Sequence, residues 1–376
     1  MHDLFLNLIQ PFPFNSSFEI NEDDISDIKA RGLKHNLLIL IYTQLQKYQQ
    51  EISQNDYIVN FLEDLKPLYL KSATRSVKQE AVEKETILLL RERDISAIVI
   101  RGNEIAKEIY NDPNSRTSTD IDILIKISDA LRVDSVLSKN GYFRNDRINL
   151  KFWFYRIHHA IYYYPETNNI IEIHWNFGIP SFFKLTSEEI WNEVIYTNSG
   201  HFKLSPEMLI IMLLIHHHMH SFRELKILVD ILWALYKYEN VINWRLFALK
   251  IKKSGLVKTT LIALNQIRSL WKETTAEMLS IQILLNEFEK LRYKKPALLI
   301  SFLKMDIDKH YSFQNYKDKI ITRFALDNRS TIIFSFFKTL FPFPVAIKEL
   351  YRDERNWALP FNYMRFIKWR VKEWVK

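Results

Sequence analysis

Glycine occurs only six times in 376 residues, about a quarter of its usual share. Glycine supplies the left-handed backbone that tight turns demand. A chain this poor in it does not suit an all-β fold with many hairpins, so long helices around a small sheet are expected. No G-x-G-x-x-G and no G-x-x-x-x-G-K-[ST] occurs. The phosphate loops of dinucleotide-binding and P-loop folds therefore lose their main support. Cysteine is absent, which removes disulfides, thiolate zinc sites, iron–sulfur clusters and cysteine nucleophiles together.

The length suits two or three domains, and 47% apolar against 26% charged residues is a globular balance. Net charge is +8, compatible with phosphate-rich partners but no nucleic-acid signature alone. Half of that excess lies in the tail Arg365 to Lys376, with five basic residues and one acid. The stretch Met1 to Asn15 has no basic region and no small-residue cleavage site, so it does not read as a signal peptide. The strongest apolar run, Met208 to Ile215, is far shorter than the roughly 20 residues of a membrane span. A soluble, cytoplasmic protein without a membrane span is expected.

Periodicity divides the chain into three. Residues 1–94 read as helical, with Leu37, Leu38, Ile41, Leu45 and Tyr48 at three- and four-residue spacing. Residues 95–204 form a mixed core. Strands are expected over Ile95 to Ile100, Asp120 to Ile125, His158 to Tyr164 and Ile170 to Trp175, the last two joined by a turn over Pro165 to Asn169. Helices are expected over Asn103 to Tyr110 and, capped by Ser128, over Ser128 to Lys139. Residues 205–376 read as helical after the Ser205-Pro206 start. Helices are expected over Glu207–His220, Arg223–Tyr238, Trp244–Lys253, Val257–Thr274 and Glu277–Leu291, and Phe341-Pro342-Phe343-Pro344 stops any helix before it. The fold class is α+β, a small mixed sheet between helical regions.

The chemistry gathers in Arg101-Gly102-Asn103, Arg116, Asp120-x-Asp122 and Glu172. On a strand, residues i and i+2 share a face, so Asp120 and Asp122 project together. Two such carboxylates repel unless a positive group lies between them. Glu172 sits in a second apolar strand, and three oxygen donors on adjacent strands suit one or two Mg²⁺ ions. Gly102 ends a strand and opens a helix, where backbone N–H groups can approach a phosphate. Each element alone has a bland reading: solvated acids on an edge strand, or a tight turn. Their joint order is what argues for a site.

The ordered motifs Ile98-Val99-Ile100-Arg101-Gly102, Ile109-Tyr110-Asn111-Asp112-Pro113, Arg116 and Asp120-Ile121-Asp122-Ile123-Leu124 resemble the uncharacterised bacterial nucleotidyltransferase family of the DNA polymerase β-like superfamily. The likeness continues through Glu172-Ile173-His174-Trp175, through His216 to His220 with Arg223, Leu225 and Asp230, and through the closing segments Phe341-Pro342 to Tyr351 and Leu359-Pro360 to Arg365. The central motif and the acidic–His–Trp strand are the specific parts. Arg101 stands where the family usually has Lys, keeping the charge on a longer planar group. Asn103 stands where the wider superfamily has Ser or Gly, and it still caps a helix.

The resemblance implies transfer of a nucleoside monophosphate from an NTP, ATP being the expected donor, with release of pyrophosphate. Asp120, Asp122 and Glu172 are the expected catalytic and metal-holding residues, for Mg²⁺ or Mn²⁺. Arg101, Gly102, Asn103 and Arg116 are the expected nucleotide-binding residues. The expected acceptor is a small molecule, sugar or peptide. An RNA or tRNA acceptor, as in toxin-type enzymes, and a non-catalytic nucleotide-binding relative are the alternatives.

His216, His220, Arg223 and Asp230 fall on one helical face if the helix continues through Ser221-Phe222. With His174, they are candidate acceptor-site residues. The competing reading is a structural network with an Arg223–Asp230 pair, and a zinc site on His216, His217, His218 and His220 is a third. The tail, with Phe366, Ile367, Trp369, Val371 and Trp374 among basic residues, reads as a docked helix with snorkelling side chains or as a membrane-surface helix.

Overall fold

The computed structural model describes residues 3–13, 20–48, 55–144, 157–167, 169–197, 202–291, 300, 305, 307–308, 321–340, 344–353 and 355–375. The expectations that fall on Met1, Asn15, Ser17, Asn168, Phe341-Pro342-Phe343 and Lys376 lie outside the described residues.

The N-terminal region contributes α1 (Leu4–Ile9), α2 (Glu22–Lys34), α3 (Leu38–Lys47) and the 36-residue α4 (Asp56–Arg91). Asn21 and Asn55 cap α2 and α4 through side-chain oxygens, satisfying N–H groups that lack intrahelical partners. The sheet follows with β1 (Ala97–Val99), β2 (Asp120–Ile125), β3 (Phe143–Arg144), β4 (His159–Tyr163) and β5 (Ile170–His174). Helices α5 (Asn103–Tyr110) and α6 (Ala130–Lys139) flank β2 in sequence. The spatial order is β1-β2-β5-β4-β3, parallel between β2 and β5 and antiparallel elsewhere. This is the mixed sheet of an α+β fold.

The sheet has two unlike faces because residue type alternates along its strands. Ile121, Ile123, Ile125, Ala160, Tyr162, Ile171 and Ile173 pack in one apolar cluster with Val82 and Leu90 of α4 and with Val133 and Leu137 of α6. The opposite face carries Asp120, Asp122, Glu172, His174 and His159. Helix α6 begins differently from expectation. Residues Ile127–Asp129 form a 3₁₀ turn, and the Ser128 side chain makes no cap for α6, whose N-cap is Asp129.

A short helix α7 (Ser187–Trp191) and a hairpin of β6 (Val194–Tyr196) with β7 (Phe202–Leu204) lead into α8 (Pro206–Met219), which Ser205 caps with Pro206 at its first position. Then come α9 (Leu225–Lys237), α10 (Trp244–Lys253), α11 (Val257–Leu270), α12 (Lys272–Thr275) and α13 (Leu279–Lys290). The N- and C-terminal helices share one core, in which Phe5, Ile41, Leu213 and Leu264 belong to the same buried cluster. Trp233 and Trp271 donate their indole N–H groups to the carbonyls of Ile9 and Leu6, tying α1 to α9 and to the end of α11.

The closing elements are α14 (Arg329–Leu340), α15 (Pro344–Tyr351) and α16 (Leu359–Val375). Helix α16 buries Phe366 while Phe361, Met364 and Trp369 stay exposed, so one face docks and another does not. Among the described residues, no helix is long and apolar enough to cross a membrane.

Candidate active site

The parallel register places Asp122 directly beside Glu172, with Asp120 two residues earlier on the same face. Asp122 is 2% exposed and Glu172 more open. A bare pair of buried carboxylates would repel, and two groups offset that repulsion here. Arg101 donates to Asp122 and reaches Glu172 at 3.5 Å. His174, two residues after Glu172, holds Nε2 at 2.8 Å from Asp122 Oδ1 and 3.2 Å from Glu172 Oε2.

The charges follow from these contacts. Burial opposes ionisation of Asp122, but Arg101 and the His174 hydrogen bond outweigh it and hold its carboxyl well below the usual range. Burial likewise opposes ionisation of Glu172, and His174 draws it down. Burial opposes a charge on His174 too, and its bonds to Asp122 and Glu172 raise its pKa regardless. Asp120 goes the other way: burial, then the charges of Asp122 and Glu172, push it up. Asp120 is thus the acid that most lacks a cation.

Gly102 turns the chain from β1 into α5 at φ +70°, in the left-handed region. A Cβ there would lie 3.3 Å from the Ser118 hydroxyl, so the turn fits glycine. Asn103 opens α5 without capping it by a side-chain bond. Its amide is engaged with α4, accepting from Ser76 Oγ at 2.9 Å and donating to the Ser76 carbonyl at 3.1 Å. Arg75 and Gln79 of α4 donate to the carbonyls of Thr119 and Ser118, just before β2. The N-terminal region is therefore a wall of the site.

Arg116 lines the cleft and also reaches into the core. Its Nε donates to Asp230 at 3.0 Å in a pair 7% and 0% exposed, so Asp230 takes its cation from Arg116. The helix that would align His216, His220, Arg223 and Asp230 is broken. Helix α8 ends at Met219, and Ser221 and Phe222 both adopt positive φ, which few residues with a Cβ tolerate. Phe222 is fully buried among α8 and α11 neighbours, and that packing fixes the break. His216, His220 and Arg223 line the cleft above the acids, whereas Asp230 lies in the core. His216 contacts Arg101 at 2.6 Å, while burial and then the charge of Arg101 depress its pKa. His217 bonds to Gln266 and His218 to Thr259, both buried. Each keeps its other ring nitrogen buried without a hydrogen-bond partner, but the ligand groupings among the described residues fall on the sheet.

The cleft measures about 1050 Å³ and brings Lys71, Arg75, Arg101, Arg223 and Lys226 around Asp120, Asp122 and Glu172. Lys226 was not singled out in the sequence, since a lysine one position into a helix resembles any surface lysine. It is half-buried, donates to the Thr117 carbonyl, and is drawn down to about 7 by desolvation and then by the charge of Arg116.

The donor set fits divalent metal. Ligand atoms of Asp122, Glu172 and His174 lie within 4.8 Å of one another, and hard carboxylate oxygens suit Mg²⁺ or Mn²⁺. The Arg101 guanidinium between these carboxylates shows that positive charge is stabilised there.

No curated protein and no solved structure matches the chain. Residues 21–272 match the family described as an uncharacterised nucleotidyltransferase, about two thirds of the chain, spanning the N-terminal wall, the sheet and α8 to α11. The match ends before the closing segments from Phe341 to Arg365. The chain thus belongs to this uncharacterised nucleotidyltransferase family, whose members transfer phosphorus-containing groups.

Proposed function

We propose that the protein transfers a nucleoside monophosphate from an NTP, with ATP as donor, to a small-molecule, sugar or peptide acceptor. The observation that carries this reading is the placement of Asp122 beside Glu172, with Asp120 on the same face, on the floor of one cleft. Asp120, Asp122 and Glu172 would hold Mg²⁺ or Mn²⁺, which when bound neutralises triphosphate charge and lowers the pKa of an attacking hydroxyl.

The chain's own groups divide the remaining work. The start of α5 after Gly102 favours phosphate through the positive end of the helix dipole. Arg101, Arg223 and Lys226 provide cationic walls that stabilise the charge gathering on phosphate oxygens. Arg116 acts at one remove, by fixing the loop that leads into β2 to α9. As the acceptor oxygen bonds to the α-phosphorus, the bond to pyrophosphate breaks, and Glu172 is placed to accept the acceptor's proton. His174, hydrogen-bonded to both Asp122 and Glu172, orients them.

The test is incubation with each α-labelled NTP, Mg²⁺ and fractionated cell extract. Label entering a small-molecule or peptide fraction supports the reading. Label in RNA keeps the chemistry and replaces the acceptor, and no label with any donor overturns it.

A further inference from the structure

A second set of donors occupies the same face of the sheet, one step further from β2. His159 on β4 stands opposite His174 on β5 in the antiparallel register, and His158 precedes it. The rings lie 4.4 Å apart for His158 and His159, 5.0 Å for His159 and His174, and 5.7 Å for His158 and His174, centroid to centroid. One nitrogen from each falls within 4.8 Å of the other two. His158 and His159 line the cleft, so the cluster is open to an ion from solvent.

His174 supplies an independent observation. Its side chain is 2% exposed, and its Nε2 faces the carboxylates of Asp122 and Glu172. Its Nδ1 is buried with no hydrogen-bond partner, and the Nδ1 of His159 is the same. Metal-ligating histidines characteristically fix one ring nitrogen on a carboxylate and leave the other for the ion. Buried polar atoms are nearly always paired, and of the histidines with an unpaired buried nitrogen, His159 and His174 belong to a ligand grouping while His217 and His218 do not.

We propose that His158, His159 and His174 form a three-nitrogen site for a transition-metal ion of the Zn²⁺ or Co²⁺ class, beside the oxygen-donor site of Asp120, Asp122 and Glu172. Imidazole selects such ions over Mg²⁺, which prefers oxygen and keeps its waters. Three protein ligands leave a fourth position for water or an acceptor oxygen, the pattern of catalytic rather than structural zinc. Asp122 then acts on this ion only through His174, as a positioning residue. The site stands on its own geometry and does not depend on the transfer reaction.

The test titrates the full chain with Co²⁺ alone and follows the visible d–d bands. Wild type should bind about one equivalent with the intense bands of a four-coordinate nitrogen site. Zn²⁺ should displace the colour, and millimolar Mg²⁺ should not. His158→Ala and His159→Ala should each weaken Co²⁺ by more than the roughly 10–100-fold that loss of an outer partner costs. Asp120→Asn should leave the bands in place. Absence of bands, bands indifferent to His159→Ala, or full displacement by Mg²⁺ overturns the proposal. Should the histidine variants fail to fold, X-ray absorption on Zn²⁺-loaded wild type decides: imidazole scattering supports the site, and an all-oxygen shell overturns it. Mg²⁺-dependent NTP binding, read by calorimetry on metal-stripped protein, tests the transfer reading separately.

Discussion

Arg116 donates from Nε to both carboxylate oxygens of Asp230, at 3.2 and 3.0 Å, across 114 residues of chain. Tyr110 donates its hydroxyl to the same carboxylate at 2.7 Å. The loop before β2, the end of α5 and helix α9 thus meet at one buried charge. The site's geometry depends on how the C-terminal helices dock.

Breaking this pair on one side should therefore cost stability first. Asp230→Ala leaves a buried guanidinium uncompensated and should lower unfolding free energy by about 3–5 kcal/mol, read in urea melts. The triple change Arg116→Met, Asp230→Leu, Tyr110→Phe removes every member of the network and should recover most of that loss. A variant Asp230→Ala of native stability but raised acceptor KM would instead place Asp230 in the acceptor site.

The two aspartates of β2 should part in stability while agreeing in activity. Asp122 is bound to Arg101 and His174, so Asp122→Asn should lose roughly 1–3 kcal/mol as both partners lose a charged acceptor. Asp120 is raised by burial and by its acidic neighbours, so Asp120→Asn should match or exceed wild type in thermal melts. Both should abolish transfer, and near-normal turnover in either would remove that residue from the site. Glu172→Gln should keep Mg²⁺-dependent NTP binding within about tenfold, 1.4 kcal/mol, while transfer falls much further. If it loses NTP binding as fully as Asp120→Asn, the division between the acids is wrong.

Lys226 titrates near 7 in the free protein, so it is mostly charged at pH 6 and mostly neutral at pH 8. If it meets the triphosphate, NTP affinity should fall across that interval. Lys226→Met should weaken binding at pH 6 by about tenfold and flatten the pH dependence. Calorimetric titrations at both pH values check this, and an unchanged profile in Lys226→Met would detach it from the phosphates.

Glu83 in α4 is 8% exposed and pushed up to about 7 by burial, with Lys107 opposing. A carboxyl raised in the folded state binds more protons folded than unfolded between its unfolded value and about 7. Stability contributed by this group is therefore greatest at acid pH and falls as pH rises through that window. Glu83→Gln should stabilise the protein at pH 8 by about 1–3 kcal/mol and change little at pH 4. Equal melting shifts at both pH values would contradict it.

Local spacing made much of this protein legible. Strand β2 was read at its observed bounds from the alternation of Asp120 to Ile125, and α10 likewise from Trp244 to Lys253. The shared face of Asp120 and Asp122 follows from the two-residue strand period alone. The hairpin of β6 and β7 went unread, because three-residue strands show too little alternation. Strand register, which sets Asp122 against Glu172 and His159 against His174, is a long-range choice that no local period encodes. Packing around Phe222 broke the helix expected to run from His216 to Asp230, and burial gave Asp230 to Arg116. Composition and periodicity settled which elements form and which residues share a face. Tertiary docking alone decided which charges meet, since hydrophobic burial acts between elements far apart in sequence and the buried polar groups must then find partners where that packing leaves them.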